Sequence, residues 1–159
     1  MQYSDILSNI KTIEHAREFV SEIDLLLDSL FKTKNALGVG QNFLSAVSEK
    51  LKEGLIKNNI SLDNLSKVKE YLLLLKEEIQ KLKTLKLSLA FEPTEHTIDN
   101  LFAWVVKNLG IGYILDIQKD QAILGGAIIE FEGKYQDFSL KKALEEVFAN
   151  KREEIMRNF

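Results

Sequence analysis

The chain has 159 residues, no cysteine, a single proline (Pro93) and a formal net charge of -3. That length holds one ordinary domain or two small ones and buries enough surface to fold without a disulfide or metal staple. With no cysteine, thiol catalysis and thiolate zinc sites are excluded, and an isoelectric point near 5.5 gives no general pull towards phosphate, so nucleic acid is not expected as a partner.

The opening Met1-Gln2-Tyr3-Ser4-Asp5 has neither the basic nor the apolar region of a signal peptide. No run approaches the ~18 apolar residues that span a bilayer, so direct membrane insertion is not expected. Ile6, Ile10, Ile13, Val20, Ile23, Leu27 and Leu30 recur at helical spacings, the stripe of a helix pair or of one long helix with a soft break. Asn35 to Gly40 reads as a loop. A helix from Gln41 to Lys57 is predicted next, with Leu44, Val47, Leu51 and Leu55 on one face and Asn58-Asn59 as its stop. Ser61 or Asp63 is the expected cap of a third helix running to about Leu82. Its apolar residues, from Leu62 through Leu72 and Leu75 to Leu82, step by threes and fours, and Leu73 and Leu74 widen the stripe towards bundle packing.

From Leu85 the period changes to two. Leu85 to Phe91 alternates as a strand, which Pro93 should end because proline cannot donate to a sheet ladder. Thr94 is placed to cap a helix carrying Ile98, Leu101, Phe102, Val105, Val106 and Leu109, with Gly110 as its stop. Trp104 lies beside that stripe and is expected to pack at its rim. Tyr113, Leu115 and Ile117 predict a second strand, Ile123 to Phe131 a third after a turn at Asp120, and Lys134 to Asp137 a short fourth after the Glu132-Gly133 turn. Ser139 then caps a last helix bearing Leu140, Leu144, Val147 and Phe148. The expected fold is α+β: an antiparallel helical bundle over residues 1–83, then a small β-α-β-β-α domain over 84–159. Residues 1–83 carry 12 basic and 12 acidic side chains and residues 84–159 carry 9 and 12, so the whole net charge lies in the second part.

Catalytic chemistry has no foothold. Gly38-Val39-Gly40 follows a helix and lacks the Lys-Ser/Thr of a phosphate loop. His15 and His96 stand one in each half and read as surface residues, with no spacing that suggests a metal. The pairs Glu77-Glu78, Glu145-Glu146 and Glu153-Glu154 are helix neighbours about 100° apart, which is a solvated face and not a shared acid/base site. No catalytic residue, cofactor or metal is expected. The segment that stands out is Asp120 to Ile129, where the double glycine Gly125-Gly126 opens an apolar strand. Glycine there weakens a strand unless the backbone bulges or another chain passes close by.

The order Asp120-x-x-Ile123-Leu124-Gly125-Gly126, an apolar strand, Gly133-Lys134, Asp137-x-Ser139 and Leu144-Glu145 resembles the C-terminal signature of the F-type ATP synthase delta subunit, whose mitochondrial counterpart is the oligomycin sensitivity-conferring protein. The likeness covers roughly residues 85–148. Phe138 stands where that family usually has glycine, Gln121 where proline is common and Lys141 where arginine is frequent. The family's N-terminal bundle is larger than residues 1–83 allow, so the resemblance implies a shortened one.

The resemblance implies a non-catalytic stator subunit on the cytoplasmic face of the membrane. Such a subunit receives the N-terminal helix of an alpha subunit on its bundle and meets b-type stalk helices through its C-terminal domain. Asp120, Leu124, Gly125, Gly126, Asp137 and Ser139 are the implied signature and stalk-interface residues. Two other readings stay open: an E-type stalk subunit of an archaeal or vacuolar rotary ATPase, against which the breaks at Gly38-Gly40 and Asn58-Asn59 speak, and an unrelated small α+β binding domain.

Overall fold

A computed structural model describes residues 3–32 and 45–157. The elements run α1 (Ser4–Leu7), α2 (Ile13–Lys32), α3 (Ala46–Lys57), α4 (Leu65–Gln80), β1 (Lys83–Leu89), α5 (Glu95–Leu109), β2 (Tyr113–Lys119), β3 (Gly126–Phe131), β4 (Lys134–Ser139) and α6 (Leu140–Arg157). The chain forms two compact units, residues 1–83 with 110–114 and residues 84–109 with 115–159. The architecture is α+β, with helices first and a four-stranded sheet after them.

In the first unit α2 packs against α3 and α4, and α1 against α3. Ile10, Ile23, Leu51, Leu55, Val68, Leu72 and Leu75 are wholly buried, each contributing about 1.5–3 kcal/mol of transfer free energy. Ile114 joins this core, which the alternation of Tyr113, Leu115 and Ile117 does not foretell. Gly54 lets α1 approach α3: a Cβ there would lie 2.5 Å from Ile6 Cδ1 and 2.8 Å from the Tyr71 hydroxyl. Tyr3 and Tyr71 pack ring to ring at 5.1 Å.

Helix starts in this unit depart from expectation. The Gln41–Lys57 helix begins at Ala46, because Ser45 is extended (φ -92°, ψ 158°) and caps it. The Ser45 hydroxyl accepts from Ser48 N–H while the Ser45 N–H donates to the Ser48 hydroxyl, a reciprocal box that satisfies the wholly buried Ser48. The next cap is Asn64, whose Oδ1 accepts from Lys67 N–H, in place of Ser61 or Asp63. Ser61 instead turns its hydroxyl to the N–H of Asp63. Asn58 closes α3, and Asn59 follows with φ 55°. The loop expected at Asn35 to Gly40 lies outside the described residues, as does Leu44.

The sheet of the second unit has the order β2-β1-β3-β4. Lys83 N–H donates to Gly112 C=O at one end of the β1/β2 pair and Asp120 N–H to Leu89 C=O at the other, so these strands run the same way, joined through α5. The other pairs are antiparallel, with Leu87 opposite Ile129 and Ile128 opposite Asp137. The expected strand from Leu85 to Phe91 runs from Lys83 to Leu89 and buries Leu85, Leu87 and Leu89 on one face. Thr94 caps α5 through Thr97 N–H. Gly110 follows the helix with φ +91°, a left-handed exit that glycine makes without strain.

The third strand is shorter than expected and the fourth longer. Leu124 and Gly125 bend, and the ladder starts only at Gly126, while β4 continues to Ser139. Glu132 and Gly133, with φ 48° and 75°, form the two-residue turn whose twist suits a hairpin. Trp104 is 54% exposed and so is not rim packing. His96 is exposed and pairs with Asn100 Nδ2 at 2.8 Å. His15 is half-buried, with its Nδ1 enclosed and unpartnered among the described residues. The surface reading thus holds for His96 but not for His15, which the α2 stripe draws inward.

Candidate interaction surfaces

Among the described residues no group of three His, Cys, Asp or Glu is placed to hold a metal ion, and none of their helices is long and apolar enough to cross a membrane. What the two units present instead are surfaces.

On the first unit a groove of ≈ 570 Å³ runs along α2 beside the C-terminal end of α4. Ile13, Ala16, Val20 and Ile79 make its apolar floor, and Arg17, Asp24, Asp28 and Gln80 stand at its rim. Leu25, also lining it, is 61% exposed. Lys76 of α4 forms an ion pair with Asp24 of α2. The groove is walled by about four turns of α2 and by Ile79 and Gln80 at the end of α4. Sequence reasoning saw the stripe but not the groove, which depends on how two helices distant in sequence lie side by side.

On the second unit Gly125, Gly126, Asp137 and Ser139 come together at the junction of β3, β4 and α6, and Asp120 lies in the turn that leads to it. Asp120 holds the entry turn: its Oδ1 accepts from Ala122 N–H at 2.9 Å and its carbonyl from Ile123 N–H at 3.3 Å. That turn buries Ile123 and leaves Leu124 72% exposed. The Gly125 carbonyl accepts from Leu140 N–H at 2.8 Å, tying the bend to the start of α6. Gly126 sits at φ +87°, and a Cβ there would lie 2.3 Å from the Phe138 carbonyl oxygen. The close approach that the double glycine suggested therefore belongs to Gly126. A Cβ on Gly125 would meet only the Leu140 side chain, at 3.5 Å.

Asp137 Oδ1 accepts from Ser139 N–H at 2.8 Å. Hydrogen bonding from Ser139, assisted by the charges of Lys142 and Lys141, lowers the Asp137 pKa from the ordinary carboxylate value. Ser139 is buried and its Oγ accepts from Lys142 N–H, so it both ends β4 and caps α6. Asp120, Gly125, Gly126, Asp137 and Ser139 thus shape the junction, and Leu124 is the residue of the set that faces outward. Around it the unit exposes Phe138 (58%) and the α6 stripe of Leu140, Leu144, Val147 and Phe148 (68%). Periodicity found that stripe. That it stays exposed among the described residues was not legible, because an amphipathic helix reads alike whether it faces its own core or a partner.

A family model described as "ATP synthase delta (OSCP) subunit" matches residues 2–150. The chain belongs to that family. It is 26% identical over 151 residues to the ATP synthase subunit delta of Lactobacillus delbrueckii subsp. bulgaricus, a match spanning 94% of this chain and 83% of the relative. A chain of the Polytomella F-ATP synthase, seen by electron cryomicroscopy in primary rotary state 3, is 23% identical with a TM-score of 0.40, covering 50% of this chain and 100% of that one. Membership of the delta family closes the two alternatives, the E-type stalk subunit and the unrelated binding domain. The match takes in the β3–β4–α6 junction, where Gly125, Gly126, Asp137 and Ser139 meet.

Proposed function

We propose that this chain is a non-catalytic peripheral-stalk subunit of a proton-translocating F-type ATP synthase, holding the catalytic head to the stalk. It sits on the cytoplasmic face of the membrane as part of the complex, without inserting. Its helical part, residues 1–83, receives the N-terminal helix of an alpha subunit, and its C-terminal part, residues 84–159, meets the b-type stalk helices. The observation that carries this reading is the family match over residues 2–150.

The geometry supports both ends of the link. From Ile13 to Asp28, the α2 wall of the groove is about 23 Å long at 1.5 Å per residue, room for about four turns of a docked helix. Its apolar floor between polar rims suits recognition of an amphipathic helix through residues at i, i+3, i+4 and i+7. On the second unit Leu124 and Phe138 are exposed, and Leu140, Leu144, Val147 and Phe148 form an exposed apolar stripe on α6, the kind of surface that marks a protein contact. Leu124, set outward by the Asp120 turn and the glycine pair, is the signature residue that touches the stalk; Asp120, Gly125, Gly126, Asp137 and Ser139 position it. A stator joint needs no reacting group, only two surfaces that stay occupied under load.

Calorimetry tests this with the full chain and two peptides: the N-terminal segment of the alpha subunit and the C-terminal segment of the b subunit from the same organism. Both are expected to bind at one equivalent. Absence of binding by either peptide overturns the assignment of that end.

A further inference from the structure

The groove along α2 holds an uneven set of charges. Arg17, Asp24 and Asp28 fall at i, i+7 and i+11, within about 40° of one another around a helix of 3.6 residues per turn. They therefore form a single ridge along one wall. Asp24 is neutralised by Lys76. Arg17 and Asp28 are exposed and take part in no ion pair among the described residues. The groove thus ends in a cation and an anion that are unmatched among the described residues, about 16 Å apart along the axis, with the apolar floor nearer the Arg17 end and Gln80 as an uncharged neighbour.

We infer that the helix taken by this groove carries an acidic residue opposite Arg17 and a basic residue opposite Asp28, ten or eleven positions apart (about three turns), and that these two contacts fix its register. The inference rests on the proposed docking of an alpha-subunit N-terminal helix. Apolar anchors spaced by three and four can seat one turn forward or back at similar cost, because the floor residues Ile13, Ala16 and Val20 repeat with the helix itself. Two opposite charges separated by a fixed length cannot. Moving the docked helix by one turn, about 5.4 Å, pulls both pairs apart together. The ion pair of Lys76 and Asp24 sharpens this by removing the intermediate charge that would otherwise attract the basic residue one turn early.

The test is titration of the alpha-subunit N-terminal peptide into the full chain and into Arg17→Glu, Asp28→Lys and Glu49→Lys, the last an exposed residue of α3 outside the groove. At low salt, Arg17→Glu and Asp28→Lys are each expected to weaken binding about three- to tenfold, and the differences to shrink at about 0.5 M salt. Glu49→Lys is expected to bind as the parent does. Reversing the peptide's acidic residue to lysine is expected to restore binding to Arg17→Glu. Parental affinity in both groove variants overturns the inference while leaving the docking itself in place, and so does an equal loss in Glu49→Lys, which would assign the effect to net charge. Failure of the parent to bind the peptide at any salt removes the docking reading and the inference together.

Discussion

Replacing Gly126 by alanine isolates the feature on which the β3–β4–α6 junction depends. At φ +87° an L-residue sits in the left-handed region, which costs about 1–2 kcal/mol. The added Cβ would also stand 2.3 Å from the Phe138 carbonyl oxygen and 3.1 Å from Ser139 Cα. Both are backbone atoms of the paired strand, so the clash cannot be relieved by a side-chain rotation. Separating the strands there weakens at least one ladder hydrogen bond, about another 1 kcal/mol. The expected loss is about 2–4 kcal/mol, which for a unit of this size lowers its melting temperature by about 10 °C or more. Gly125→Ala is the control. Its Cβ would meet the Leu140 side chain at ordinary contact distance, so the cost should stay within about 1 kcal/mol. The single tryptophan, Trp104 on α5, lies in the same unit, and its fluorescence during thermal unfolding reports that unit separately from total helix content. If Gly126→Ala unfolds at the parental temperature, or if Gly125→Ala is the more damaging, the close-approach argument is wrong.

Three further outcomes follow from individual groups. Burial raises the Tyr71 hydroxyl to about 12, with Tyr3 and Asp5 adding to the shift and a hydrogen bond from Asn58 opposing it. Because the folded value lies above the ordinary 10.0, the associated stability is full below pH 10 and is lost as the pH rises from 10 towards 12. Alkaline difference spectroscopy with parallel denaturation measures this, and a Tyr71 that ionises normally refutes it. Ser139→Ala removes the α6 cap and should cost about 1 kcal/mol in chemical denaturation; an unchanged midpoint would show the hydroxyl to be idle. Phe148→Asp, at an exposed site, should change stability by no more than about 0.5 kcal/mol while weakening binding of the b-subunit peptide at least tenfold. Equal binding would remove α6 from the stalk contact.

What could be read from the chain, and what could not, divides along physical lines. Thr94, Gly110 and Ser139 were legible as helix boundaries because their partners lie within a turn, and the same holds for the Glu132-Gly133 hairpin. Ser45 and Asn64 compete with equally good caps nearby, Ser61 and Asp63 among them, and only the packing of α3 and α4 selects between them. The glycine pair stood out, yet sequence alone could not say that Gly126 bears the constraint and Gly125 does not, since that depends on the strand from Lys134 to Ser139 passing on one side. Trp104 and the Leu140 to Phe148 stripe were legible as apolar positions, but exposure is a property of the whole fold. The groove along α2 was the least accessible, being lined by residues of two helices about 50 residues apart in the chain.

The central claim is that one chain holds two partners at once, through surfaces on different units. Native mass spectrometry of the full chain mixed with the N-terminal peptide of the alpha subunit and a C-terminal fragment of the b subunit tests it most directly. The account predicts a complex with one copy of each, in which saturation with one ligand leaves the affinity for the other unchanged. Two binary complexes that never combine, or a chain that takes neither ligand, would contradict it.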